Sequence, residues 1–377
     1  MKVYLDNAAT TPIDPQVLDL MHKVQCENYG NPSSIHTIGR KSRTLIEKSR
    51  KKIASILGVA PGEIFFTSGG TEADNMALQC AVHHLGCKRI ITSAIEHHAV
   101  LHTCEELHRE AGIQLDLVSL DEKGRINLEH LETLLKDSPK GKTIVSLMHA
   151  NNEIGNMIDL LAVGNICEAY GALFHSDTVQ TIGHWDVKPK ESKVHFLAAS
   201  AHKFNGPKGI GFIYLDENVK IRPMIHGGSQ ERNMRGGTEN IGGIVGLCKA
   251  LELSIEEMET MKARICELRA YFIEQLEQGI PGVSFNGDYL GNTNYIPLNV
   301  SFPVQEGDDM LLFNLDIAGI AASGGSACSS GSDVGSHVLA QLKLKPNTNN
   351  IRFSFGKYNT KEDIDLTVAA LKDIFKK

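Results

Sequence analysis

No apolar run in this sequence approaches the roughly 20 residues that a membrane-spanning helix requires. The first residues, Met1-Lys2-Val3-Tyr4-Leu5-Asp6-Asn7, turn polar at once, so no secretory leader is expected. There is no basic tract and no basic stripe interleaved with aromatics. The formal net charge is −7, which argues against nucleic acid as a main partner. The 8 cysteines show neither a framework spacing nor any Cys-x-x-Cys, so reduced thiols and a cytoplasmic setting are expected. Internal repeats and long low-complexity segments are also lacking. With 42% hydrophobic and 22% charged residues, the composition is that of a globular chain.

What is present is an alternation of short apolar runs and helical patterns. Asp14 and Pro15 form a helix start, as N-cap and first helical residue. A basic amphipathic helix is expected from about Ser34 to Leu57, stopped by Gly58. Strands near 64–67, 89–92, 114–118, 143–149, 173–176, 196–199 and 211–214 alternate with helices up to that last pair. That pattern predicts an α/β fold with a mostly parallel sheet between helical layers. Helix from about Asn240 to Gly279, broken once, leads into a different texture. It comprises strand 297–301, helix 308–315, strand 317–322, a Gly/Ser-rich loop, helix 334–342, strand 351–355 and helix 361–375. The expected division is a large domain over 15–252. A smaller α+β domain takes 1–14 and 253–377 and carries the loop at about 323–336.

Four strand ends hold residues suited to chemistry, and ligands of open α/β sheets bind at such ends. Thr67-Ser68-Gly69-Gly70-Thr71-Glu72 joins a strand to a helix. Its glycines permit close backbone approach and its helix start favours a phosphate, although Thr71 and Glu72 could simply form a capping box. It lacks the Lys-Ser/Thr of a P-loop. Glu96, His97, His98, His102, Cys104 and His108 cluster after another strand. His98 and His102 could share a helix face as metal ligands, but no third ligand is set by spacing. The alternative is one histidine, His97, stacking on a ring, with the others at the surface. Asn151 or Asn152 could meet a ring hydroxyl. Asp177 needs a cationic partner if buried, and a protonated pyridine nitrogen would supply one. Ser200-Ala201-His202-Lys203 places a lysine able to form a Schiff base beside two phosphate donors. Cys328 lies in Ser323-Gly324-Gly325-Ser326-Ala327-Cys328-Ser329-Ser330-Gly331-Ser332 without apolar periodicity, so it reads as an accessible nucleophile. Cys80, Cys167, Cys248 and Cys266 read as buried small hydrophobes.

In this order and spacing the segments resemble the cysteine desulfurases of the NifS/IscS group, within the fold-type I, class-V aminotransferase enzymes that use pyridoxal 5'-phosphate. The resemblance extends over Tyr4–Thr11, Gly30–Ser34, Arg235–Asn240, Ser326–Cys328 and Ile351–Ser354 and covers nearly the whole chain. It implies that Lys203 holds the cofactor, Asp177 pairs with its ring nitrogen, Gln180 with its ring hydroxyl, and His97 stacks on the ring. Gly70, Thr71, Ser200 and His202 would hold the phosphate, joined by Thr238 from the other subunit of a homodimer. Asn152 and Arg352 would hold the carboxylate of L-cysteine, and no metal is implied. Sulfur would pass to Cys328 as a persulfide, leaving L-alanine, and then to an acceptor protein. An iron–sulfur scaffold or a tRNA-thiolation enzyme would fill that role. Ala201 stands where Gly is more usual, and Gly236-Gly237 where Ser-Gly is. The chain ends at Lys377, short of a segment that helps housekeeping members dock the scaffold. The rival readings are a selenocysteine lyase or aminotransferase on the same scaffold, and a non-catalytic metal-binding protein.

Overall fold

The computed structural model describes residues 2–304, 310–324 and 335–376. Helix α1 (Pro15–Glu27) begins as the sequence indicates, with the Asp14 carboxylate accepting the Gln16 amide. Helix α2 (Thr37–Leu57) starts later than expected. Its cap is the His36 ring, which accepts the Gly39 amide, and the loop before it packs so closely that a Cβ on Gly39 would lie 2.5 Å from the Asn31 carbonyl. Gly58, at φ 70°, ends it in the left-handed region.

Seven strands form the central sheet: β2 (Ile64–Thr67), β3 (Arg89–Ser93), β4 (Gln114–Val118), β5 (Thr143–Ser146), β6 (Leu173–Asp177), β7 (Phe196–Ser200) and β8 (Gly211–Leu215). Their order is β2-β8-β7-β6-β5-β3-β4, parallel from β7 to β4. Only β8 runs antiparallel to its neighbours, so β2 again points the same way as β7. The near-continuous apolar strands follow from burial on both faces. Along each strand alternate residues enter opposite cores: Phe66, Ile91, Val145, Leu197 and Phe212 one way, and Phe65, Ile90, Ile144, Phe196 and Ile213 the other. Helices α3 (Gly70–His83) and α4 (His98–Ala111) cover the second core. The first is covered by α2, α5 (Leu128–Lys136), α6 (Leu160–Tyr170) and the start of α7 (Ile241–Gly279).

A separate apolar core gathers Leu5, Phe272, Leu298, Phe302, Phe353 and Phe355. It is built on the antiparallel sheet β12 (Thr348–Ser354)–β10 (Pro297–Pro303)–β9 (Ser284–Asn286). The pair β1 (Val3–Tyr4)–β11 (Ile320–Ala321) and helices α8 (Leu311–Ile317) and α9 (Lys361–Ile374) complete it. Phe272 meets Phe353 edge to face at 5.0 Å, a favoured aromatic geometry. Three expectations are corrected here. The 39 residues of α7 form one unbroken helix. Its glycines near the start admit α1, a Cβ on Gly246 falling 2.6 Å from the Met21 sulfur, and no proline interrupts the rest. A helix over 334–342 is not formed by the described residues, which make only a 3-10 turn at Leu339–Gln341. There, Ser336 and His337 spend their side-chain hydrogen bonds on neighbouring loops. The expected strand 317–322 shortens to two residues because Ile317 still belongs to α8.

Residues 231–233 stand apart. Glu231, Arg232 and Asn233 all have positive φ, at 45°, 57° and 64°, and form one left-handed turn. Each such non-glycine residue costs about 1–2 kcal/mol, least for Asn, so the surroundings must hold the turn. Arg50, 1% exposed, grips Glu231 with two hydrogen bonds of 2.7 and 2.8 Å. Glu231 also accepts the Phe66 amide of β2 at 2.8 Å.

Candidate active site

Because β2, β7, β6, β5 and β3 share a direction, their C-terminal ends meet at one edge of the sheet. A cavity of about 240 Å³ opens there. Its lining includes Gly70 and Thr71 after β2, His97 after β3, Asn152 after β5, and Asp177 and Gln180 at and after β6. Ser200, His202 and Lys203 follow from β7, and Arg352 comes from β12. The geometry brings together every one of these residues that the sequence singles out. Thr238 is exposed and lies elsewhere, in a cleft beside Glu231, Arg235 and Glu239. Cys328 lies outside the described residues.

The Lys203 ammonium donates to the carbonyls of Ala8 at 2.6 Å and Ala9 at 2.9 Å, and the Gln180 amide donates to the Ala8 carbonyl at 3.0 Å. The N-terminal segment is therefore part of the site. Asp177 is 5% exposed and accepts the Val179 amide at 2.9 Å. Burial pushes its carboxyl up to about 6, against the pull of that amide and of Lys203. Asp74 and Glu96, also buried, add to the acidity gathered here. Burial, Asp177 and Glu96 hold Asp74 well above the carboxylate range, and burial takes Glu96 to about 8. Burial thus favours the neutral forms of Asp74 and Glu96, and the charge that calls for a cation is that of Asp177.

His97 caps α4, its Nδ1 accepting the Ala99 amide at 3.1 Å. Burial first, then Lys203, depresses it to about 4. At neutral pH the ring is uncharged, and with Nδ1 occupied as an acceptor its proton sits on Nε2. His202 is neutral for the same reasons, at about 4, and its Nδ1 lies 3.1 Å from the Thr10 hydroxyl. The cradle at α3 differs from a capping box: Gly69 caps the helix without a side chain, and Glu72 turns to the Ser68 amide and to Arg235. The α3 amides are thus left for a ligand. Gly70 has no room for more, since a Cβ would sit 2.5 Å from Val179 Cγ2.

Arg352, 1% exposed, donates to Asp6 at 2.8 Å and to the Asn152 carbonyl at 3.0 Å, while its Nε has no partner among the described residues. Arg352 and Ser323 exchange backbone hydrogen bonds of 2.7 and 3.1 Å. On the far side of 325–334, Ser336 donates to Glu153 at 2.5 Å and His337 lies 2.9 Å from the Glu96 carbonyl. Both described flanks of the Cys328 segment are thus fastened to elements of the cavity.

Among the described cysteines none lines the cavity. Burial pushes Cys80 and Cys167 up to about 12, and Cys87 and Cys248 to about 11, which suppresses their thiolates. Cys266, expected to be buried, is exposed on α7. His98 stacks on His102 at 4.7 Å and approaches His337 at 4.4 Å. Among the described residues no group of three or more His, Cys, Asp or Glu is arranged to hold a metal ion. Sequence reasoning missed Ala8 and Ala9, which act through backbone carbonyls, and Asp74. The signal for Asp74 was a carboxylate on the buried face of α3 beside Ala73, Met76 and Ala77.

A profile of the class-V aminotransferases matches residues 3–367. The cysteine desulfurase IscS of Dictyoglomus turgidum is 45% identical over all of this chain and 95% of its own. A solved NifS-like protein superposes with a TM-score of 0.91 at 36% identity, covering both chains fully. A second structure, SspA in complex with cysteine, gives 0.80 at 31% identity over 95% of this chain and 100% of its own. The chain belongs to the class-V aminotransferase family and, within it, to the cysteine desulfurases of the NifS/IscS group.

Proposed function

We propose that this chain binds pyridoxal 5'-phosphate at Lys203 and removes sulfur from L-cysteine, giving L-alanine and a persulfide on Cys328. The observation that carries the reading is the convergence of Lys203, Asp177, His97 and the Gly70 cradle on one cavity. Three features fit the cofactor. Asp177 is a buried carboxylate in want of a cation, which a pyridinium nitrogen supplies. The α3 start offers free amides beside Thr71, Ser200 and His202 for a phosphate. Lys203 faces the same space. Once bound, the cofactor supplies an electron sink for the substrate carbon skeleton.

The residues of the chain do the rest. Arg352 has an Nε without a partner among the described residues and, beside Asn152, presents a fork suited to the substrate carboxylate. The solved cysteine complex of SspA supports an amino acid of that kind. Asp177 would pair its charge with the ring nitrogen and Gln180 would meet the ring hydroxyl. Neutral His97 would lie against the ring and could pass a proton through Nε2. The Lys203 amine would take the α-proton of the substrate. The Cys328 thiolate attacks the substrate sulfur: an S–S bond forms and the Cβ–S bond breaks. The electron pair of that bond and one proton end on the β-carbon, which becomes the methyl of alanine. The fastened flanks at Ser323 and His337 support Cys328 as the nucleophile. Thr238, exposed in one subunit, would complete the phosphate site of a second copy. A cytoplasmic homodimer that hands sulfur to an acceptor protein is the assembly this implies. Within it, 15–252 forms the cofactor-binding unit and 1–14 with 253–377 the smaller one.

The test is a paired assay of wild type and Cys328→Ala with L-cysteine, following alanine, sulfide and visible cofactor absorbance. Both proteins should be yellow and only wild type should form alanine and sulfide. A fully active mutant removes Cys328 from the mechanism and favours the transaminase or selenocysteine lyase reading.

A further inference from the structure

The left-handed turn at 231–233 is the start of a braced segment that ends at Thr238. Its first anchor is the buried Arg50–Glu231 pair, which also holds the Phe66 amide in β2, the strand that leads into the phosphate cradle. Its second anchor is Arg235. The Arg235 fork reaches Glu72 with bonds of 3.0 and 3.1 Å, and Glu72 in turn accepts the Ser68 amide at 2.8 Å. Glu72 stands in the first turn of α3, whose start is the cradle. On either side of the anchors the chain is folded tightly on itself. Gly237 donates to the Gln230 side chain at 3.1 Å, Gly236 donates to the Ile225 carbonyl at 3.0 Å, and a Cβ on Gly236 would fall 2.7 Å from Gly227 Cα. Backbone strain persists where surroundings over-determine it, and such places cluster at functional sites. Yet Thr238, the residue presented by all this bracing, faces solvent in its own subunit.

We propose that Arg235 is a positioning residue for Thr238. Its ion pair with Glu72 ties each subunit's own phosphate cradle to the segment that subunit lends to its partner. This rests on the reading of Thr238 as a phosphate ligand in trans. A bidentate Arg–carboxylate pair fixes orientation as well as distance, which suits a segment that must reach across an interface. One pair then serves two sites: it shapes the Ser68–Thr71 turn on its own side and sets the height of Thr238 on the other.

The test is a double-mutant cycle on the apo homodimer, with Arg235→Gln, Thr238→Val and the double mutant, reading the dissociation constant of pyridoxal 5'-phosphate by absorbance titration. Thr238→Val should weaken binding about tenfold and Arg235→Gln at least as much, and the double mutant should be no weaker than Arg235→Gln alone, a coupling of about tenfold. Losses that multiply to about a hundredfold overturn the proposal, because Arg235 then acts on its own cradle alone. Wild-type affinity in Thr238→Val instead overturns the reading of Thr238 itself, and the positioning role with it. Melting curves and sedimentation of each apo dimer separate these results from a loss of folding. If Arg235→Gln does not fold, Arg235→Lys, which keeps the charge and loses the fork, takes its place in the same cycle.

Discussion

Asp177 sets the charge balance of the site, and its ionisation can be read without any substrate. An unfolded aspartate titrates at about 4, whereas burial holds this one at about 6. A carboxyl raised in the fold favours folding only while protonated. The apo protein should therefore lose stability as pH climbs from 4 to 6 and stay at the lower level above that. Asp177→Asn removes that loss. The apo variant should be more stable than wild type at pH 8 by roughly 1–3 kcal/mol, with the gap closing near pH 4, as thermal melts would show. The same variant should lose about a hundredfold or more of its turnover, having no charge to keep a ring nitrogen protonated. Wild-type stability in the variant at pH 8 would mean that Asp177 already has a cation in the apo protein. At this scale the sequence was most informative where a side chain type is itself chemical: Lys203, Asp177, His97 and Arg352 stand out at strand ends. It was mute where the backbone acts, as with the Ala8 and Ala9 carbonyls that receive Lys203. Asp74 was overlooked because its helix reads as an ordinary amphipathic one.

Among the elements, the left-handed turn is the one most dependent on a single interaction. Removing one partner of a buried ion pair leaves the other charge stranded, at a cost of about 3–5 kcal/mol. Glu231→Ala should accordingly lower stability by about that amount, because Arg50, 1% exposed, would lose its bidentate partner and keep the Ile64 carbonyl, the Phe66 ring and Glu47. Arg232→Gly should do the reverse. Arg232 is exposed at φ 57°, where glycine relieves about 1 kcal/mol. Chemical denaturation of the two variants measures both, and equal stabilities would remove the claim that the turn is strained. Nothing in the sequence marks 231–233 as left-handed, since Glu and Arg there are good helix formers. The break expected in the long helix is absent: at Gly242 and Gly246 α1 comes close, and at Gly243 the Asn240 cap folds over the backbone, so these glycines serve packing and capping within one helix.

For the molecule as a whole, the sheet was readable because strands buried on both faces leave continuous apolar runs between helical patterns. The reversal of β8 was not, since an antiparallel neighbour within such a sheet has the same apolar texture. That reversal matters little to the site, because it leaves β2 pointing with β7 and brings the phosphate cradle to the same edge as Lys203. That meeting of strand ends around one lysine is what makes the site. The most direct measurement is borohydride reduction of the protein after incubation with pyridoxal 5'-phosphate, followed by peptide mass mapping. A single pyridoxyl adduct on Lys203, absent from Lys203→Ala, is the predicted result. An adduct on another lysine, or one that survives in Lys203→Ala, would contradict the account.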